Sequence, residues 1–215
     1  MKLSLFERGG ASEREALAPG AELLRGFALP FEKDLRAGFE DVVAGAPLRH
    51  MVTPGGFRMS VAMTNCGALG WVSDLEGYRY APRDPERASA WPSMPEAFTS
   101  LATAAAAAAG FPGFHPDACL VNSYEPGARL TLHQDKDERD FRAPIVSVSL
   151  GLPATFLFGG LTRAERPRRI PLVHGDVVVW GGPSRLRYHG VLKLEEGQHP
   201  SFGAFRMNLT FRKAA

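Results

Sequence analysis

The chain has 215 residues, 45% of them hydrophobic and 22% charged, with a formal net charge of +2. That length and mix fit a single globular domain with a sizeable core and exclude a disordered chain, while the near balance of charge excludes a uniformly basic nucleic-acid binder. The apolar run within residues 1–8 is too short for a signal peptide and no stretch reaches the length of a membrane span, so a cytoplasmic protein with no membrane partner is expected.

Taken in chain order, Phe31, Leu35, Phe39 and Val42 or Val43 recur at helical spacing and predict an amphipathic helix packed on a sheet. Trp71, Tyr78 and Tyr80 then bracket a Gly-containing stretch ahead of the Pro-rich segment 81–92; such aromatics either anchor a loop or form a lid. A second helix is marked by a capping box of Ser93 and Glu96, by Pro95 in its first turn, by Phe98 and Leu101, and by alanines running to Gly110 as its C-cap. Beyond Phe111 the pattern changes to short apolar or alternating runs at 145–150, 155–158, 177–180 and 204–211, predicted strands separated by Gly and Pro turns. Within this half, Arg163, Arg166, Arg168 and Arg169 crowd a Pro-interrupted segment after Gly159-Gly160, read as an exposed loop able to touch phosphates. Helices first and many short strands later predict an α+β domain, with helices buttressing a double sheet closed as a jelly roll. Cys66 and Cys119 have no CxxC spacing and are expected to be reduced thiols of the core.

Two motifs carry chemistry. His133-Gln134-Asp135, with His189 far downstream in Tyr188-His189-Gly190, offers two imidazoles and one carboxylate. That is the donor set of a facial Fe(II) site, whose open positions accept a bidentate 2-oxoacid and O2 together. Two apart on an extended segment, His133 and Asp135 point to one side, but sequence spacing alone does not bring His189 to them. His50, His115, His174 and His199 have no convincing ligand pattern, and a structural zinc site would want four Cys or His ligands. The second motif is Arg206-Met207-Asn208-Leu209-Thr210-Phe211-Arg212. Its alternation predicts a half-buried strand with Met207, Leu209 and Phe211 on one face, and with Arg206, Asn208, Thr210 and Arg212 on the other, where two guanidiniums could clamp a dicarboxylate.

Together these motifs resemble the signature of AlkB dioxygenases. Similar runs occur in Met51-Val52-Thr53-Pro54-Gly55-Gly56, in Ser60-Val61-Ala62-Met63-Thr64-Asn65-Cys66-Gly67, in Pro116-Asp117-Ala118-Cys119-Leu120 and in His174-Gly175-Asp176-Val177-Val178-Val179-Trp180-Gly181-Gly182. The resemblance covers about residue 20 to Arg212 and implies one domain over 1–215. It divides into an N-terminal extension over about 1–20, a nucleotide-recognition lid over about 50–92, and a double-stranded β-helix (jelly roll) core over 116–213.

The resemblance further implies His133, Asp135 and His189 as Fe(II) ligands and catalytic residues. It implies Asn122, Tyr124, Arg206, Asn208 and Arg212 around 2-oxoglutarate, and Trp71, Tyr78, Asp137 and Arg163 as substrate contacts, with Glu138 assisting Asp137. Asp137, two residues beyond Asp135, would continue along an extended strand into the same pocket. The implied reaction is oxidative demethylation of N1-methyladenine and N3-methylcytosine with O2, releasing formaldehyde, succinate and CO2. The implied partner of a monomeric enzyme is alkylated single-stranded DNA, with double-stranded DNA and RNA as further candidates. Two alternatives share many of these residues: a 2-oxoglutarate oxygenase that hydroxylates a protein, and a jelly roll that binds damaged nucleic acid without catalysis.

Overall fold

Short apolar runs separated by Gly and Pro turns build most of the architecture. The computed structural model describes residues 13–215. Residues 1–12, which hold most of the expected N-terminal extension and the run tested as a signal peptide, lie outside the described residues. The strands are β1 (Arg14–Ala18), β2 (Ala21–Leu24), β3 (Ala62–Gly67), β4 (Gly70–Asp74), β5 (Gly77–Ala81), β6 (Ala118–Tyr124), β7 (Leu130–His133), β8 (Ile145–Gly151), β9 (Ala154–Phe158), β10 (Arg168–Leu172), β11 (Val177–Trp180), β12 (His189–Val191) and β13 (Arg206–Arg212). The helices are α1 (Glu32–Gly45) and α2 (Glu96–Ala108). Among the described residues no helix is long and apolar enough to cross a membrane.

A seven-stranded sheet runs β1-β2-β11-β8-β13-β6-β3, a four-stranded sheet runs β10-β9-β12-β7, and β4 and β5 form a separate hairpin. All pairings are antiparallel, as a double-stranded β-helix requires. On one face of the larger sheet, Leu35 and Val42 of α1 and Phe98, Leu101 and Ala105 of α2 pack against Val121, Val148, Met207, Leu209 and Phe211. On the other, Met63, Tyr124, Ile145 and Trp180 meet Phe156, Phe158, Ile170 and Val191 of the smaller sheet. Full burial of a Leu or Phe side chain contributes about 1.5–3 kcal/mol, so these two layers hold the helices and both sheets together.

Several sequence expectations are refined. Both helices form where the periodicity places them, but the capping box does not: α2 starts from an extended Pro95 with no side-chain cap, and the Pro95 carbonyl accepts from Phe98 and Thr99. Its end is as expected. Gly110 has φ +87°, and Gly110 and Phe111 donate to Ala107 and Ala106 in a Schellman closure. The strand at 206–212 is buried at every position instead of half-buried, because the smaller sheet covers its polar face. The basic segment is an exposed loop only to Pro167; Arg168 opens β10, pairs with Phe158, and turns its Nη1 to the Leu17 carbonyl.

Candidate active site

β7 ends at His133 and β12 begins at His189, and the two residues are directly paired in the smaller sheet. That register brings the distant imidazole to the motif, with ring centroids 4.3 Å apart. An added Cβ on Gly190 would lie 2.6 Å from the Leu130 carbonyl oxygen, so only glycine lets β12 approach β7 this closely. Asp135 follows just beyond the strand end. Its Oδ1 lies 3.7 Å from His133 Nε2 and its Oδ2 3.7 Å from His189 Nε2. One ligand atom from each residue falls within 4.8 Å of the others, the one such cluster found among the described residues.

The protonation pattern suits a metal. His133 Nδ1 meets the Thr131 carbonyl at 2.8 Å and His189 Nδ1 meets the Arg187 carbonyl at 3.0 Å. A carbonyl only accepts, so each Nδ1 carries a proton and each Nε2 is the ring atom turned toward Asp135. Burial and the adjacent His133 pull the pKa of His189 down to about 3, which keeps its imidazole neutral. Burial alone would push the Asp135 carboxyl up, but Arg212 and the two imidazoles outweigh it and hold the group well below the usual carboxylate range. Two imidazoles whose Nδ1 atoms are held by backbone carbonyls, with an ionised carboxylate between them, are a fit donor set for Fe(II).

Beside the triad lies a polar floor built by β13, β6 and β8. Arg206 is buried and donates one bond, from Nη2 to Ser149 Oγ at 2.7 Å, while its Nε and Nη1 have no partner. Its guanidinium lies 4.9 Å from the centre of the Tyr124 ring. Burial lowers the pKa of Arg206 from its ordinary value, opposed by Tyr124. Asn122 adds a buried carbonyl oxygen that also lacks a partner. Unpaired buried donors are costly, and a carboxylate supplies what this guanidinium lacks. Asn208 differs: its amide donates to Ser147 Oγ and the Val148 carbonyl, and its oxygen accepts from Asn122 and Thr210, so it braces the floor. Arg212, expected beside the cosubstrate, binds Asp135 Oδ2 from Nε and Nη2 at 2.9 and 2.6 Å.

This arrangement agrees with the relatives. The 2OG-Fe(II) oxygenase superfamily profile matches residues 20–212. The alpha-ketoglutarate-dependent dioxygenase AlkB of Salmonella typhimurium is 59% identical over 202 residues, covering 94% of each chain. The chain belongs to the AlkB family of Fe(II)- and 2-oxoglutarate-dependent dioxygenases. A more distant member, a DNA N(6)-methyladenine demethylase of Arabidopsis thaliana, is 34% identical over 171 residues, which are 67% of this chain and 38% of that one. The solved structure of OsALKBH1 superposes with a TM-score of 0.82 at 29% identity, covering 94% of this chain and all of that one. As in the AlkB family generally, Fe(II), 2-oxoglutarate and O2 are the cofactors.

The segment expected to be an aromatic loop is the β4–β5 hairpin, closed by Leu75 and Glu76. Trp71 and Tyr78 stack with centroids 5.6 Å apart and planes 12° apart. The Trp71 indole donates to Asp137 Oδ2 at 2.8 Å, which ties the hairpin to the turn after β7. Asp137 reaches this place without the extended strand expected for it, since β7 stops at His133. Arg163 stands apart, exposed on the loop that follows the β9 residue paired with His189. Sequence reasoning missed Arg185, Ser147 and Ser149, and saw Glu138 only as a helper of Asp137. Ser147 and Ser149 alternate in the run read as a strand, which was a signal for one shared face, whereas Arg185 and Glu138 sit in no local pattern and only the fold converges them.

Proposed function

We propose that this AlkB-family enzyme is an oxidative demethylase of N-alkylated nucleobases, foremost N1-methyladenine and N3-methylcytosine, with His133, Asp135 and His189 as its Fe(II) ligands. The observation that carries the reading is the junction of two sites: Asp137, two residues from Asp135, is bonded to the indole of the stacked Trp71–Tyr78 pair. That bond links the loop carrying the metal-ligand carboxylate to an aromatic pair suited to stacking on a nucleobase.

When bound, the ferrous ion, 2-oxoglutarate and O2 supply the oxidising power that hydroxylates the N-methyl carbon, after which formaldehyde leaves the repaired base and 2-oxoglutarate departs as succinate and CO2. The protein's part is placement. Arg206, which has donors free of partners and lies close to Tyr124 and Asn122, would bind the far carboxylate of 2-oxoglutarate. Asn208 holds Asn122 in place, and Arg212 fixes Asp135. Trp71 and Tyr78 stack on the extracted base, and the Asp137 carboxylate favours a cationic methylated base over its neutral parent. Arg163, exposed and cationic, meets a backbone phosphate.

Residues 50–92 act as the nucleotide-recognition lid and 116–213 as the catalytic core of a monomer. An unpaired base reaches the centre at least cost, which favours single-stranded DNA, with duplex DNA and RNA as further substrates. Two free, buried cysteines accord with work in the cytoplasm.

The test is incubation with Fe(II), ascorbate, 2-oxoglutarate and a single-stranded oligonucleotide bearing N1-methyladenine, with and without the cosubstrate. The expected result is cosubstrate-dependent loss of the methyl group with release of formaldehyde. Succinate without demethylation would move the reading to hydroxylation of a protein, and base binding without succinate would move it to a non-catalytic binder.

A further inference from the structure

Glu138 lies in the turn after the metal-ligand motif, its side chain only 2% exposed. A carboxylate buried so deeply survives only with charged or strongly polar partners. Its Oε2 is 3.0 Å from Arg185 Nη2, and its Oε1 is 3.3 Å from Arg212 Nε and accepts the Tyr80 hydroxyl at 2.8 Å. Burial raises the pKa of Tyr80, so that hydroxyl stays a donor. Arg185 also donates to the carbonyls of Asp135 and Ala143, at 2.8 and 3.1 Å. One side chain thus gathers contacts from β5, from β13 and from the segment leading to His189.

Two guanidiniums suffice to balance the charge of Glu138, so the Tyr80 bond has another consequence. Tyr80 belongs to the β4–β5 hairpin, which joins neither large sheet by a ladder. Side-chain bonds fasten the hairpin elsewhere, from Trp71 to Asp137, between Asn65 and the Trp71 backbone, and from Ser73 to the Val52 carbonyl. Among these described contacts of the hairpin, only that of Tyr80 reaches a group that shares a guanidinium with Asp135. Arg212 stands between two carboxylates, close to Asp135 Oδ2 at 2.6 Å and farther from Glu138 Oε1 at 3.3 Å. The Tyr80 hydroxyl occupies Oε1 while Arg212 sits with Asp135; were Oε1 released, Glu138 would compete for Arg212 and Asp135 would loosen.

We propose that Tyr80 and Glu138 are positioning residues that form a latch between the aromatic hairpin and the metal-ligand carboxylate, so that 2-oxoglutarate is consumed efficiently only when the hairpin is seated. The proposal rests on the demethylase reading, because the hairpin is taken there as the base-binding lid.

Tyr80→Phe keeps the ring and removes only the hydroxyl. In the metal-free protein, amide hydrogen exchange of the β4–β5 hairpin should rise about tenfold, the factor that a lost hydrogen bond to a charged group is worth at the lower end, while β8 and β13 exchange as in wild type. In the loaded enzyme the KM for the methylated oligonucleotide should rise more than kcat falls, and succinate formed per formaldehyde should exceed the wild-type ratio. Glu138→Gln retains an acceptor for Tyr80 but removes the charge that competes for Arg212. It should keep wild-type hairpin exchange and leave the visible charge-transfer band of the ferrous 2-oxoglutarate complex as in wild type. Wild-type exchange together with a wild-type succinate-to-formaldehyde ratio in Tyr80→Phe would overturn the latch, as would a lowered melting temperature with that ratio unchanged. A wild-type enzyme that releases no formaldehyde would instead defeat the demethylase reading, and the exchange comparison would still decide the hairpin contact.

Discussion

Arg212 donates from both Nε and Nη2 to the same oxygen of Asp135, Oδ2, at 2.9 and 2.6 Å. The other oxygen, Oδ1, faces His133 Nε2 at 3.7 Å. A carboxylate held this way offers a metal one oxygen in a fixed direction, which preserves the remaining coordination positions for cosubstrate and O2.

Arg212→Met should therefore weaken metal binding without removing a ligand. Partners that orient a ligand are worth about 10–100-fold in metal affinity, and a loss of that size is expected. Anaerobic titration with Fe(II) checks it, and wild-type affinity in the variant would refute the orienting role.

Arg206 predicts the opposite sign for stability and for function. Its buried Nε and Nη1 have no partner in the described protein, so replacing it with an apolar side chain of similar length removes an uncompensated charge. Arg206→Met should leave the ligand-free protein as stable as wild type or more stable by about 1–3 kcal/mol. The same variant should lose the rise in melting temperature that 2-oxoglutarate gives the wild type, and its turnover should demand far more cosubstrate. Thermal denaturation with and without 2-oxoglutarate reads both effects.

The legibility of the chain differed by the range of each interaction. The alternation in β13 separates Arg206 and Arg212 from Met207 and Leu209, and the structure keeps both sides as expected. Burial of the polar side was not legible, because it depends on β9 and β12 folding over it, and that is a long-range event. His133 and Asp135 are a local motif, whereas their meeting with His189 depends on the β7–β12 register. Arg185 and Glu138 show the limit: they stand 47 positions apart in the sequence, neither lies in a periodic run, and only the closed fold makes them a pair at 3.0 Å. Ser93 shows a local signal overruled, since the extended Pro95 starts α2 without it.

The pKa of His189 predicts acid sensitivity of the metal-free protein. Burial and His133 hold it at about 3 in the folded state. An unfolded histidine takes up its proton at about 6.5, so below that value the unfolded chain binds a proton the folded chain refuses. The stability contribution is fully present above about pH 6.5 and declines toward pH 3, by at most about 1.4 kcal/mol per pH unit. Urea denaturation of the metal-free wild type and of His189→Asn at about pH 7 and about pH 5 should show the steeper loss in the wild type. Equal slopes would contradict a buried neutral His189.

Trp71 is half-buried, and its stack on Tyr78 supplies the face on which a base would rest. Trp71→Ala should weaken binding of a methylated oligonucleotide by about 1–3 kcal/mol, with the melting temperature of the protein little changed. Undiminished affinity with a lowered melting temperature would make Trp71 an anchor of the hairpin and nothing more.

The most direct test of the central claim is anaerobic Fe(II) and 2-oxoglutarate titration of the wild type and of His133→Ala, Asp135→Ala and His189→Ala, followed by the visible charge-transfer band of the complex. The wild-type chain should bind one ferrous ion with that band, and each variant should lose the band. A band of wild-type position and amplitude in any of the three would contradict the assignment of His133, Asp135 and His189 as the metal centre.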